Sequence, residues 1–168
     1  MFSRDHGRPL CWGRAAVADD PISEPLPEET RHTPPSPVIV SLPIADRQTS
    51  FVFYGEGLGL DAIGDPADDG VPEPLQFALN EGVHLMLVPT GGFSWVIGDR
   101  EVPGRDQSEC IFSVHVGTEG GVDELIERAH QSGAEIVTQP GQQPWGYAGA
   151  FADPDGHIWM VTSDSFPT

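Results

Sequence analysis

The chain has 168 residues, enough for one domain with a real core or for two small fused units. It carries 26 acids against 8 arginines and no lysine, a formal charge of −18, which argues against nucleic acid and anionic membrane as partners. Such a surface draws a cationic ligand, or it is simply a solvated coat that keeps the protein in solution.

Residues 1–36, "MFSRDHGRPLCWGRAAVADDPISEPLPEETRHTPPS", have no hydrophobic periodicity and a Pro-rich end, and are read as a disordered leader. Arg4, Asp5, His6 and Arg8 are followed by no apolar run suited to a signal peptide, and no stretch has the length of a membrane span. From Pro37 onward the count is 20 acids to 4 arginines. The cysteines are Cys11 and Cys110 alone, which make neither a disulfide framework nor a metal quartet and suit a reducing cytoplasm.

"VIVSLPI" (Val38 to Ile44) alternates as a strand does. Asp46 then caps a predicted helix in which Phe51, Tyr54 and Leu58 recur at three and four residues, until Gly57 or Gly59 stops it. Short strands are expected near 60–63, 74–80 and 83–89, with loops over Gly64 to Pro72 and Thr90 to Arg105. "SECIFSVHV" (Ser108 to Val116) is a second alternating strand. "GVDELIERAHQSGA" follows as a helix with Val122, Leu125, Ile126 and Ala129 on one face. Asp123 and Glu124 fall in its expected first turn, Arg128 and His130 near its end, and Gly133 just beyond. The remaining strands are placed near 135–139, 148–152 and 157–163, the last two joined by a tight Asp155-Gly156 turn in which Pro154 pre-sets the backbone and Gly156 supplies a positive φ.

The chain repeats itself. "QFALNEGVHLML" lies over "GAFADPDGHIWM" at a shift of 74, with Phe77 on Phe151, Gly82 on Gly156 and Met86 on Met160. Upstream, Val40, Leu42 and Ile44 fall on Cys110, Phe112 and Val114 at a shift of 70. Each half is therefore β-α-β-β-β, and the fold class is α+β, two tandem modules over about 37–89 and 108–164, with 165–168 a tail.

"LPIAD" before "FVFYGEGLGL", together with "QPWGYAGAFADPDGHIWMV" near the C-terminus, resembles the vicinal oxygen chelate (VOC) superfamily: glyoxalase I, extradiol dioxygenases, and fosfomycin and bleomycin resistance proteins. The resemblance covers about Pro37 to Asp164. It implies two βαβββ modules whose strands curl into one cup, often in a dimer, with ligand or metal inside. In metal-dependent members the ligands stand on the first and last strand of each module, facing the cup. With Val40, Leu42 and Ile44 toward the helix, Ile39, Ser41 and Pro43 face the cup, as do Glu109, Ile111, Ser113 and His115 in the second module. His84, Met86 and Val88 share a face on one last strand, and Ile158, Met160 and Thr162 on the other.

The four ligand positions then read Ile39, Met86, Glu109 and Met160, of which only Glu109 is a hard donor. A one-residue slip would bring in Leu85, Leu87, Trp159 or Val161, which bind metal no better. The expectation is therefore no cofactor, and a small organic ligand, cationic if the surface charge takes part, held by Ile39, Ser41, His84, Met86, Glu109, Trp145, Tyr147 and Met160. Trp145 and Tyr147 of "PWGYAG", with Phe93 and Trp95 in the matching loop, either form aromatic walls for that ligand or pack loops over the sheet. Glu109 is the one catalytic candidate, as a general base in an apolar cup. His157 is a partly exposed turn residue. No nucleophile motif or phosphate-cradling loop is present; "GEGLGL" ends a helix instead of opening one. The alternatives are one divalent metal ion held by Glu109 with His84 and His115 in a lyase or dioxygenase, and an interaction domain whose two methionines fill a vestigial site. A cytoplasmic homodimer is expected.

Overall fold

The computed structural model describes residues 37–108 and 110–163; the leader expected over 1–36, Glu109 and residues 164–168 lie outside the described residues. The alternating strand β1 (Val38–Ile44) leads through α1 (Arg47–Val52) to β2 (Ala62–Ile63), β3 (Leu75–Asn80) and β4 (Val83–Pro89). Because the helix carries the chain back over the sheet, β1 lies parallel to β4, while β3 and β2 follow as antiparallel neighbours, in the order β1-β4-β3-β2. The second half repeats this with β5 (Ile111–Val116), α3 (Glu119–Gln131), β6 (Glu135–Gln143), β7 (Gly146–Ala152) and β8 (Ile158–Ser163), in the order β5-β8-β7-β6. All eight strands expected from the sequence are present. The described residues belong to one compact unit, Pro34–Thr168. None of the described helices is long and apolar enough to cross a membrane.

The helices depart from expectation in three ways. Asp46 caps α1 as predicted, its Oδ1 accepting from Thr49 N at 2.7 Å, and these bonds hold its carboxyl below the usual range. The turn that follows widens into a π-helix over Phe53–Gly57, so Phe53 and Tyr54 both point inward, and Gly59, at φ +74°, ends the run. The α3 helix starts earlier than read from its charges: Thr118 is the cap, accepting from Gly121 N at 3.0 Å. Its first turn thus holds Glu119, with Asp123 and Glu124 beyond it, while Val122, Ile126 and Ala129 are buried as the periodicity required.

The third departure is α2 (Thr90–Ile97), where the sequence predicted a loop. Gly91 and Gly92 give this segment poor helix propensity, but the Thr90 hydroxyl donates to Ile44 O at 3.1 Å and Gly92 sits close on the Val88 side chain. Tertiary anchoring overrides propensity here.

The helix-facing sides of both sheets share one core. Tyr54, fully buried, lies 5.6 Å from the ring of Phe77 in the first sheet and 5.9 Å from Trp159 in the second, and Phe53 packs edge-on at 5.1 Å. The Tyr54 hydroxyl donates to Asp153 Oδ2 at 2.5 Å, while Asp153 Oδ1 accepts from Asp155 N and His157 N at 3.0 and 2.8 Å. That carboxylate closes the β7–β8 turn, where Gly156 has φ +99° as predicted. The turn also docks on the first module. Asp155 accepts from Ala45 N at 2.8 Å and from Ser50 Oγ at 3.2 Å, and His157 Nε2 donates to Pro43 O at 2.8 Å.

Burial pushes the Asp153 carboxyl above its ordinary range even though Tyr54 and His157 pull it down, and burial next to Asp153 pushes the Tyr54 phenol well up. A folded-state pKa above the unfolded value of 3.8 means that this carboxyl favours folding most below 3.8, and that the contribution is lost as pH rises through the folded value. Tyr54→Phe removes the donor that opposes the upward shift and is expected to cost about 1–3 kcal/mol. Its deficit in melting temperature against wild type should widen as pH rises from about 5 to about 7.5 in parallel thermal melts. A pH-independent deficit would mean that Tyr54 contributes packing alone.

Candidate ligand site

On the cup side, side chains fall into rows set by strand register. Ser41 pairs with Met86 and Met86 with Gln76; Ile39 pairs with His84 and His84 with Ala78. In the second module Ser113, Met160 and Ala150 form one row, Ile111, Ile158 and Ala152 another, and His115, Thr162 and Ala148 a third. Burial alternates accordingly: Leu42, Ile44, Leu85, Leu87, Trp159 and Val161 are buried on the helix side, whereas Met86 and Met160 are half-buried. The predicted facing of β1, β4, β5 and β8 holds. Two cup-side polar contacts are made within these rows: Gln76 Nε2 approaches Met86 Sδ at 3.9 Å, and Thr162 Oγ1 lies 2.6 Å from His115 Nδ1.

Register corrects the repeat. Ser41 beside Met86 and Ser113 beside Met160 give the first strands a shift of 72, and the helix caps Asp46 and Thr118 give the same shift. The expected shift of 70 slid β5 by two residues, which leaves every facing unchanged and so escapes a test based on alternation alone. With the corrected shift Ile111, not Glu109, corresponds to Ile39. The four positions where metal-binding relatives would place ligands therefore hold Ile39, Met86, Ile111 and Met160. Two thioethers and two hydrocarbons do not fit a hard divalent ion. Of the alternative set, His84 and His115 stand in different rows and Glu109 lies outside the described residues; among the described residues no three His, Cys, Asp or Glu side chains converge.

The cup strands carry another pattern. None of β1, β3, β4, β5, β7 or β8 contains Asp, Glu, Lys or Arg. Against a charge of −18, the acid on the strands of the second sheet is Glu135 of the edge strand β6, which pairs with Ala152 at the end of the Ile111 row.

A cavity of about 600 Å³ opens at the C-terminal end of β1, lined by Ser41 and Pro43 of the cup face, Thr90 and Phe93 of α2, and the segment that joins α2 to β5. A second hollow of about 550 Å³ lies against Ala152 and Ile158 of the second module. Arg105, Gln107, Ser108 and Gly156 line both, so the connecting segment lies between them. It is seated tightly, for a Cβ at Gly156 would come 2.5 Å from Arg105 O.

Sequence reasoning missed this connection because Gly104, Arg105 and Gln107 carry no periodic pattern. It also misplaced Tyr147. That ring lies on the helix side, partly buried on the core, with its hydroxyl donating to Asp123 Oδ1 of α3 at 2.8 Å; the carboxylate raises the phenol's pKa. Alternation along β7 could have shown it, since Tyr147 shares parity with buried Phe151, not with Ala150 beside Met160. Trp145 lies in the β6–β7 turn, exposed, and lines neither cavity. In the matching segment only Phe93 reaches a cavity; Trp95 is 86% exposed.

The model of the Glyoxalase/Bleomycin resistance protein/Dioxygenase superfamily matches residues 37–161. A glyoxalase-related enzyme from Fulvimarina pelagi superposes with a TM-score of 0.64 at 27% identity, over 76% of this chain and 86% of that one. TnmS3, an antibiotic binding protein from Streptomyces sp. CB03234, gives 0.51 at 25% identity over 74% and 92%. A hypothetical protein from S. aureus shares the fold, with a TM-score of 0.64 at 22% identity over 77% and 93%. No curated protein sequence matches.

The corrected register can be tested by building a metal site. Ile39→His, Met86→Glu, Ile111→His and Met160→Glu together should bind Ni²⁺ or Zn²⁺ at one ion per chain in calorimetry. The same variant with His placed at Glu109 and Ile111 restored should bind far more weakly, and the reverse order of affinities would reinstate the shift of 70.

Proposed function

Because the chain belongs to the Glyoxalase/Bleomycin resistance protein/Dioxygenase superfamily, we propose that it is a metal-independent member that binds a small organic molecule in the cup. The observation that carries this reading is the chemistry of the cup strands: two thioethers, alanines and a few hydroxyls, with no charged side chain on six strands. Such a surface recognises apolar or aromatic bodies, and flexible methionines adapt to their shape. The cavity of about 600 Å³ beside Ser41 has the volume of a drug-sized ligand. Similarity to an antibiotic binding protein at 25% identity supports a binding role, beside similarity to a glyoxalase-related enzyme at 27% identity. Of the expected binding residues Ser41 lines this cavity, Ile39, His84, Met86 and Met160 stand on the cup face beyond its lining, and Glu109 lies outside the described residues; Tyr147 and Trp145 leave the set, and Ser113 and Phe93 join it.

The protein acts as a homodimer in the cytoplasm in this reading. Ile39 and Ile111 are 47% and 61% exposed on the charge-free face, where two strongly acidic copies can meet without bringing carboxylates together. Cys110, free and exposed, suits a reducing compartment.

The methionines provide the test. Met1, Met86 and Met160 are the only three in the chain, so ¹³C-methyl labelling yields two cup signals and one control. Titration with an aromatic fragment library should shift the Met86 and Met160 methyls and leave Met1 in place. Protein purified without chelators should carry no stoichiometric metal. One Ni, Zn, Mn or Fe per chain would overturn the metal-independent reading in favour of the lyase or dioxygenase alternative, and unmoved cup methyls would favour a vestigial site.

A further inference from the structure

The connection between α2 and β5 carries a guanidinium where the net charge of the protein would not suggest one is needed. Gly104 O accepts from Gln107 N at 2.9 Å, and Gly104 N donates to Gln107 Oε1 at 3.3 Å, so Arg105 and Asp106 form the tip of a hydrogen-bonded turn. Gly156 holds the Arg105 backbone from the other side. The side chain therefore swings from a fixed point at the boundary of the two cavities.

The charges around it are unequal. Within the larger cavity the lining residues with formal charge are Arg105 and Asp155. Both oxygens of Asp155 are already bonded, to Ala45 N and Ser50 Oγ, and His157 Nε2 is bonded to Pro43 O. Arg105 makes no ion pair or hydrogen bond through its side chain with any described residue, whereas Arg47 bridges Asp69 and Glu73 and holds two carbonyls of the chain between them. Asp106 and Glu135 line the smaller hollow and not the larger.

We propose that Arg105 makes the cup selective for an organic acid: its guanidinium anchors the carboxylate, or a comparable oxyanion, of an otherwise apolar ligand whose body lies against Pro43, Phe93 and Val102. A guanidinium presents paired donors that match a carboxylate's two oxygens, whereas a cation would find on β1 no carboxylate and in Asp155 one whose oxygens already accept from Ala45 N and Ser50 Oγ. The acidic coat thus points to the opposite ligand charge from the one the site accepts. This inference rests on the reading of the cup as a ligand site.

Three probes with one aromatic body test it: naphthoate, naphthamide and naphthylmethylamine, titrated by calorimetry and by the methionine methyl signals. Naphthoate should bind wild type about tenfold more tightly than the amide, with the amine weakest. Arg105→Gln should abolish the preference for the acid and leave amide binding unchanged, and Arg105→Lys should restore part of it. Arg100→Gln, the same change of net charge at a residue that bonds Ile97 O outside the cavity, should leave the preference intact. Amide or amine binding as tight as the acid, or a preference that survives Arg105→Gln, overturns the inference while the shifted methyls keep the cup as a ligand site. Absence of heat and of methyl shifts with all three probes overturns the binding reading beneath it as well.

Discussion

A single buried carboxylate ties the two halves of this protein together. Asp153 is 1% exposed, and removing a charge from water costs several kcal/mol unless its oxygens are satisfied. Three donors do so: the Tyr54 hydroxyl from the first module, and the backbone amides of Asp155 and His157 from its own turn. The same atoms thus close a hairpin in one module and hold a helix of the other. The turn conformation and the docking of the modules cannot be changed independently, and the aromatic rings of Tyr54, Phe77 and Trp159 pack in the geometry that this bond allows.

The π-helix is the backbone's part of the arrangement. In a regular α-helix adjacent residues diverge by about 100°, and in the wider turn by somewhat less, which brings Phe53 and Tyr54 nearer to one direction. Widening the turn over Phe53–Gly57 lets Phe53 meet Phe151 at 6.3 Å while Tyr54 reaches Asp153. Gly57 leaves room at the close approach to Ser132, where a Cβ would come 2.6 Å from the serine. A wide turn costs some hydrogen-bond quality, and here two buried aromatic side chains offset that loss.

Strands were legible because alternation is a local property: Val40, Leu42 and Ile44 announce their burial without knowledge of any partner. Register was not, because a two-residue slide of β5 preserves every facing, and it takes the pairing of Ser113 with Met160 and the caps Asp46 and Thr118 to distinguish a shift of 72 from 70. The cup methionines were therefore found and the fourth ligand position was not. Tyr147 was lost for a different reason. Its glycine-rich neighbours suggested an open approach to the cup, yet Gly149 lacks a side chain because Ile126 of α3 presses on that side of β7. The α2 helix had no local signal, as its glycines oppose it and its support comes from Ile44 and Val88.

The distribution of charge separates approach from recognition. At physiological ionic strength a surface charge is felt over about 8 Å, so the acidic coat biases which molecules linger near the protein. It does not decide which of them stays. At the cavity the guanidinium of Arg105 is exposed and without a side-chain partner among the described residues, so on the proposal above it would act on a carboxylate at contact distance, where it outweighs more distant acids, since interaction strength rises as separation falls. Carboxylates on the cup strands would have been the direct route to holding a cation, and the chain places its acids on the caps, α3, β6 and the connecting segments instead. A coat kept off the binding surface maintains solubility without dictating the ligand. On the proposal above, opposite signs on the two surfaces would give selectivity: a cation would be drawn near but find no free carboxylate on the cup strands, whereas an acid would have to overcome the coat and would be held only if its apolar body also fits.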